Sequence, residues 1–224
     1  MKQINTVIFD LDGTLLDTLG DLADAVNYAL AEMGYPLRSY EEVRNFVGNG
    51  VALLMRRAVP KEATDEDAAK ALSIFRPYYA EHNRIKTCAY ENINKMLDIL
   101  IERGYRLAVV TNKFEAAAKD LVKEFFGDRI AVTVGENEAM GRKKKPAPDG
   151  VFAAMEQLGA APHECVYVGD SDVDIETANN AKIPCIGCSW GFRGREALLA
   201  LGLDQDLVID APMEILKVLE TTER

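Results

Sequence analysis

Thr6-Val7-Ile8-Phe9-Asp10-Leu11-Asp12-Gly13-Thr14-Leu15-Leu16-Asp17 runs from a short apolar segment straight into carboxylates. Apolar residues without polar alternation predict a strand buried on both faces, as in a parallel sheet. Asp10 and Asp12 then stand at its carboxyl end, and extended backbone there projects both to one side. Two carboxylates so placed suit a shared metal ion and a shared phosphoryl group. Gly13 permits a turn, and the backbone donors of Gly13 and Thr14 are expected to approach phosphate oxygens closely, since glycine adds no side chain in the way.

Working outward, the segments 107–111, 130–134, 165–169, 183–186 and 207–209 repeat the same β-branched, apolar character. Helical spacing separates them: Ile93, Leu97, Leu100 and Ile101 come before 107–111, and Ala118, Leu121, Val122 and Phe125 after it. Strand and helix therefore alternate, which predicts an α/β fold with a Rossmann-like parallel sheet and right-handed crossovers. Ligands of such sheets gather beyond the carboxyl ends of the strands. The alternation fails between about 18 and 84, where 21–33, 39–46, 51–58 and 64–79 all read as helices. The expected organisation is a core of 1–16 and 85–224 with a small α-helical cap, 17–84, inserted after the first strand. Ser39 and Glu42 have capping-box spacing at one helix start, and Gly48-Asn49-Gly50 breaks the pattern after it.

Three further strand ends carry polar residues. Val109-Val110-Thr111-Asn112-Lys113 ends in a hydroxyl and an amide able to bond phosphate oxygens. In Lys145-Pro146-Ala147-Pro148-Asp149 a fixed turn can hold one ammonium in a pocket while Pro148 opens a helix. Val166-Tyr167-Val168-Gly169-Asp170-Ser171-Asp172-Val173-Asp174 runs into carboxylates with the ingredients of a magnesium site. The neighbouring Arg142, Lys143 and Lys144 read as a solvated loop.

Composition sets the outer bounds. The 224 residues carry a formal charge of −10, which disfavours surfaces that track nucleic-acid phosphates or anionic membranes, so no nucleic acid and no membrane is expected as a partner. The start of the sequence fits neither a signal peptide nor a membrane span and predicts a cytoplasmic protein; whether it is a monomer or a homodimer, the sequence leaves open. Cys88, Cys165, Cys185 and Cys188 read as reduced, buried thiols, because a chain of this size needs no disulfide staples. Asp17 reads as a helix cap or part of the cap hinge.

Taken together in this order, Asp10-Leu11-Asp12-Gly13-Thr14, Thr111-Asn112, Lys145-Pro146 and Gly169-Asp170-Ser171 with Asp174 resemble the haloacid dehalogenase (HAD) superfamily, especially its phosphoglycolate-phosphatase-like branch. Val47-Gly48-Asn49-Gly50-Val51 followed by Arg56-Arg57 is similar to the substrate loop of that branch's cap. Tyr90-Glu91-Asn92 stands where the branch commonly has Tyr-Pro-Gly. The resemblance implies a HAD-like core and a phosphatase acting on a small phosphorylated metabolite. Asp10 would be phosphorylated transiently and Asp12 would move the proton. It also implies Mg2+ held by Asp10, the carbonyl of Asp12 and Asp170, with Asp174 behind them orienting a water or Lys145. Lys145, Thr111 and Asn112 would compensate charge on the phosphoryl oxygens. Arg57, Arg56 and Asn49 are the candidates to meet a substrate carboxylate or hydroxyl. The substrate implied first is 2-phosphoglycolate, ahead of a sugar phosphate, nucleotide monophosphate or pyrophosphate. A β-phosphoglucomutase-like phosphomutase shares the same residues, and a phosphate-binding protein without turnover is the reading outside enzymes. Dehalogenation fits less well, because those relatives lack the acid found here at Asp12.

Overall fold

The computed structural model describes residues 4–137 and 140–222. In chain order the elements are β1 (Thr6–Phe9), β2 (Leu16–Asp17), α1 (Leu19–Glu32), α2 (Tyr40–Phe46), α3 (Val51–Ala58), α4 (Asp65–His82), β3 (Cys88–Ala89), α5 (Ile93–Glu102), β4 (Arg106–Phe114) and α6 (Glu115–Phe126). They continue with β5 (Val132–Glu136), α7 (Asp149–Leu158), β6 (Cys165–Gly169), α8 (Asp172–Ala181), β7 (Cys185–Cys188), α9 (Gly194–Ala200), β8 (Val208–Ile209) and α10 (Ile215–Thr222). The chain divides into two compact units, Met1–Leu16 with Ala89–Arg224, and Asp17–Cys88.

The larger unit is an α/β fold built on a six-stranded sheet ordered β5-β4-β1-β6-β7-β8. Every pairing in it is parallel. Strand β1 lies between β4 and β6, with Phe9 opposite Val109 and Val168. Alternate residues of the strands face opposite ways. Val7, Phe9, Val109 and Val168 join one core cluster with residues of α5, α6 and α10. Ile8, Ala108, Val110 and Tyr167 join the other with α7 and α8. Because both faces are covered, neither can carry a polar stripe, which is why these strands read as continuous apolar runs.

Strand β4 is longer than its apolar stretch, continuing through Asn112 and Lys113, with a register shift against β5 between Val110 and Phe114. The two-stranded pair of β2 and β3 is too short to leave a pattern in the sequence. After β3, Asn92 takes φ 66°, a left-handed conformation that glycine adopts freely and asparagine tolerates.

The smaller unit is helical. Ser39 and Glu42 form the expected capping box, with Ser39 Oγ accepting from Glu42 N at 3.2 Å and Glu42 Oε2 from Ser39 N at 2.8 Å. Thr64 and Asp67 form a second one. Asp17 accepts from Leu19 N (3.2 Å) at the start of α1. The buried Asp21 carboxylate ties α1 to the returning chain by accepting from Lys86 N, Thr87 N and Thr87 Oγ1.

Two readings need correction. Arg142 and Lys144 are not simply solvated, since Arg142 pairs with Glu115 (2.8 Å) and Lys144 with Glu136 (2.7 Å), acidic residues that the end of β5 and the start of α6 bring beneath them. Cys88 is exposed rather than buried, because it lies on the short β3 outside the main sheet. All four thiols are free, and burial pushes Cys165 up to about 11, a value that suppresses thiolate chemistry. No helix among the described residues is long and apolar enough to cross a membrane.

Candidate active site

The carboxyl ends of three adjacent strands converge in the larger unit. Asp10 directly follows β1, and its N–H donates to Val168 O (2.8 Å), continuing the ladder with β6 one residue past the strand. Asp170 follows β6, and Asp174 lies in the first turn of α8. One carboxylate oxygen from each of the three lies within 4.8 Å of the others, and all three residues are buried.

A single ammonium is set into this cluster. Lys145 Nζ lies 2.8 Å from Asp10 Oδ1 and 2.7 Å from Asp174 Oδ1, and donates to Tyr167 Oη at 3.1 Å. Asn112 holds the Lys145 backbone at both ends, its Oδ1 accepting from Lys145 N (2.8 Å) and its Nδ2 donating to Lys145 O (3.1 Å). The Asn112 amide, expected on phosphate, thus fixes the loop that delivers Lys145. Thr111 Oγ1 accepts from Lys113 N (3.2 Å), an arrangement that leaves the hydroxyl its own proton to donate.

Asp174 is engaged through both oxygens. Oδ2 accepts from Asp170 N, Ser171 N and Ser171 Oγ, while Oδ1 meets Lys145 and Tyr167. A carboxylate so fully hydrogen-bonded is better suited to holding Lys145 and the Asp170 turn than to binding an ion directly. Asp170 accepts from Thr14 Oγ1 (3.1 Å) and Phe192 N (2.7 Å).

Gly13 and Thr14 have a different task from the one expected of their backbones. Gly13 N donates to Leu16 O (2.8 Å) and Thr14 N to Leu11 O (3.3 Å), closing the turn after β1. At Gly13, φ +87°, a Cβ would stand 2.6 Å from Asp170 Oδ2, so the glycine is what lets this carboxylate pass. Gly191 does the same from the other side, where a Cβ would meet Asp170 Cβ and, at 2.5 Å, Gly13 O. The intervening Trp190 donates its indole N–H to Thr14 O (3.0 Å). Asp12 is bonded elsewhere, its Oδ1 accepting from Lys113 Nζ at 2.8 Å.

Sequence reasoning did not single out Lys113, Tyr167 or Gly191. Lys113 was detectable in principle, since it lies two residues beyond Thr111 and shares its side of an extended strand. Tyr167, inside an apolar run, and Gly191, in a loop, carry no local signal.

Electrostatically the cluster is short of positive charge. Burial, then Asp174, raise Asp10 from 3.8 to about 7 against the opposing pull of Lys145. Burial, then Asp174 and Asp10, raise Asp170 well above the carboxylate range. Burial acts to depress Lys145, but Asp10 and Asp174 outweigh it and hold it well above the usual lysine value. Asp10 Oδ1 is buried and, despite the nearby ammonium, has no aligned hydrogen-bond donor. Three buried carboxylates, one ammonium and an oxygen without an aligned donor fit a hard cation.

Without a cation, folded Asp10 stays protonated up to about pH 7, whereas the unfolded chain releases that proton near 3.8. The folded state therefore binds more protons across this window, and the contribution of Asp10 to stability falls as pH rises through it. A cation held at this cluster would compete with the Asp10 proton, so magnesium is expected to raise Tm little at about pH 5 and by about 5–10 °C at about pH 8. Thermal unfolding with magnesium and with chelator checks this, and a gain independent of pH would remove Asp10 and Asp170 from the site.

In the smaller unit, Arg57 donates to Phe46 O (2.8 Å) and to Asn49 Oδ1 (3.0 Å), joining α3 to the Gly48-Asn49-Gly50 loop. Arg56 instead pairs with Asp65 (2.9 Å). Of the two arginines, Arg57 is the one bound to Asn49.

Comparison with known proteins agrees with this architecture. Residues 7–188 match the family described as haloacid dehalogenase-like hydrolase. The chain is 34% identical over 223 residues to a phosphoglycolate phosphatase of Vibrio parahaemolyticus, covering 97% of this chain and 96% of that one. It is 36% identical over 196 residues to one of Pseudomonas savastanoi, covering 85% and 71%. A crystal structure from Lactobacillus delbrueckii superposes with a TM-score of 0.91 at 32% identity, covering 97% of this chain and 99% of that one. A predicted phosphoglycolate phosphatase from Haemophilus somnus superposes at 0.87 and 30% identity, with coverage of 97% and 99%. With a parallel sheet whose central strand ends in Asp10, a lysine bridging Asp10 and Asp174, and a family match over most of its length, the chain belongs to the haloacid dehalogenase-like hydrolases.

Proposed function

We infer that this hydrolase is a magnesium-dependent phosphatase of small phosphomonoesters, with 2-phosphoglycolate as its substrate. The observation that carries the reading is Asp10, a buried carboxylate at the end of the central strand, 2.8 Å from the Lys145 ammonium. The phosphoglycolate phosphatases to which the chain is similar over 85% of its length or more support the substrate.

Asp10 attacks phosphorus, the ester P–O bond breaks, and Asp12 gives its proton to the departing alkoxide. Water then attacks the aspartyl-phosphate while giving a proton to Asp12, and cleavage of the acyl P–O bond restores the Asp10 carboxylate and releases inorganic phosphate. Lys145 and the Thr111 hydroxyl offset charge on the phosphoryl oxygens, while Asn112 and Asp174 hold Lys145 in place. Asp10, Asp170 and the Asp12 carbonyl would hold magnesium, which supplies charge neutralisation at the phosphoryl oxygens. Asn49 and Arg57 offer a polar pair suited to a carboxylate or hydroxyl.

The test is phosphate release from 2-phosphoglycolate and a panel of sugar, nucleotide and pyrophosphate substrates, with magnesium and with chelator. Magnesium-dependent preference for 2-phosphoglycolate is expected. Comparable release from the whole panel would overturn the substrate, and isomerisation of a sugar phosphate without net release would replace the hydrolase reading by a mutase.

A further inference from the structure

Lys145 is committed to Asp10 and Asp174, yet a second lysine is buried at the same strand ends. The Lys113 side chain is 6% exposed, and its ammonium lies 2.8 Å from Asp12 Oδ1, itself on a side chain only 15% exposed. A buried ammonium is costly unless it answers negative charge.

The position of this charge is informative because of what Asp12 does. To protonate the leaving group, Asp12 must come within about 2.7 Å of the ester oxygen. An ammonium in contact with Asp12 therefore lies within roughly 5–6 Å of that oxygen, on the leaving-group side of the phosphorus. In a substrate whose carboxylate is one methylene away from the ester oxygen, the carboxylate oxygens fall inside that radius. An ammonium has three N–H donors on a flexible stem, so one lysine is able to hold Asp12 and a second oxyanion together.

We propose that Lys113 is a specificity residue that selects an anionic leaving group, binding its carboxylate while keeping Asp12 against the ester oxygen. This rests on the phosphatase reading above and adds the chemistry of the group that departs. The consequence is discrimination at the core itself. An ester with a neutral leaving group brings no carboxylate to the Lys113 ammonium, whereas a short carboxylate supplies a counter-charge that draws Lys113 and Asp12 into position.

The experiment compares kcat/KM for 2-phosphoglycolate and for 2-hydroxyethyl phosphate, which has the same chain length with a neutral hydroxyl in place of the carboxylate. Lys113→Met is expected to cost 2-phosphoglycolate roughly 30-fold more than 2-hydroxyethyl phosphate, the scale of losing one partner of a buried charge pair. Lys113→Gln, which keeps a hydrogen-bond donor for Asp12, is expected to recover turnover of the neutral ester but not of 2-phosphoglycolate, and it decides the matter where the methionine variant does not fold. Equal losses on both esters would assign Lys113 to holding Asp12 alone and overturn the proposal. Wild-type turnover of both esters without preference would overturn it as well while leaving the phosphatase standing. Absence of phosphate release from either ester by wild type would overturn the phosphatase reading and this one with it.

Discussion

Asp10→Asn is expected to lower kcat for phosphate release by roughly a millionfold, the scale on which removing a covalent nucleophile acts. The amide has nearly the shape of the carboxylate but cannot form the acyl phosphate. The fold should not suffer. Asp10 is raised to about 7 by burial and by Asp174, so its charged form is the costly one above that pH. A neutral amide removes that cost, and Tm at about pH 8 with chelator is expected to equal or exceed that of the wild type. Steady-state kinetics and thermal unfolding on one preparation measure both. Turnover within about tenfold of wild type would reassign the nucleophile, since a residual rate that high has no other source at the site.

Lys145→Met is expected to damage stability and turnover together. Its ammonium is the counter-charge shared by Asp10 and Asp174, and all three side chains are nearly inaccessible, at 4%, 10% and 0%. Removing one partner of such a buried arrangement costs about 3–5 kcal/mol. For a chain of this size that lowers Tm by about 6–20 °C. Because the loss comes from unanswered carboxylate charge, it should be largest above about pH 7 and shrink where Asp10 and Asp170 are protonated. Turnover of whatever remains folded is expected to fall about 100- to 1000-fold, from lost electrostatic stabilisation of the phosphoryl oxygens. A variant as stable as wild type at every pH would mean that Lys145 does not neutralise the cluster.

Both predictions concern residues whose placement is legible in the sequence. Asp10 interrupts an apolar strand, and a doubly buried parallel strand admits a carboxylate only at its end, so its position was readable from the residues around it. The alternation of β1, β4, β5, β6, β7 and β8 with helices was legible for the same reason. Other parts of the site depend on contacts made from far along the chain. Gly191 is required because Asp170 and Gly13 press against it, and neither neighbour leaves a trace in the loop's own sequence. Tyr167 reads as core because its ring is core; the Lys145 ammonium, Asp174 carboxylate and Val110 carbonyl reaching its hydroxyl reveal a polar role. Gly13 and Thr14 looked like phosphate donors from local turn chemistry, but the same turn uses their N–H groups for its own closure.

The central place of β1 also bears on how the enzyme is made. Residues 6–9 are paired on one side with 106–109 and on the other with 165–168. During synthesis at about 5–20 residues per second, β1 therefore waits on the order of ten seconds for its second neighbour, with at least one edge unpaired throughout. Such distant pairing slows folding, because chain entropy is lost before contacts repay it. Nascent chains halted before β6 would carry Asp10 without the strand that completes its surroundings, and they are the forms most in need of a chaperone.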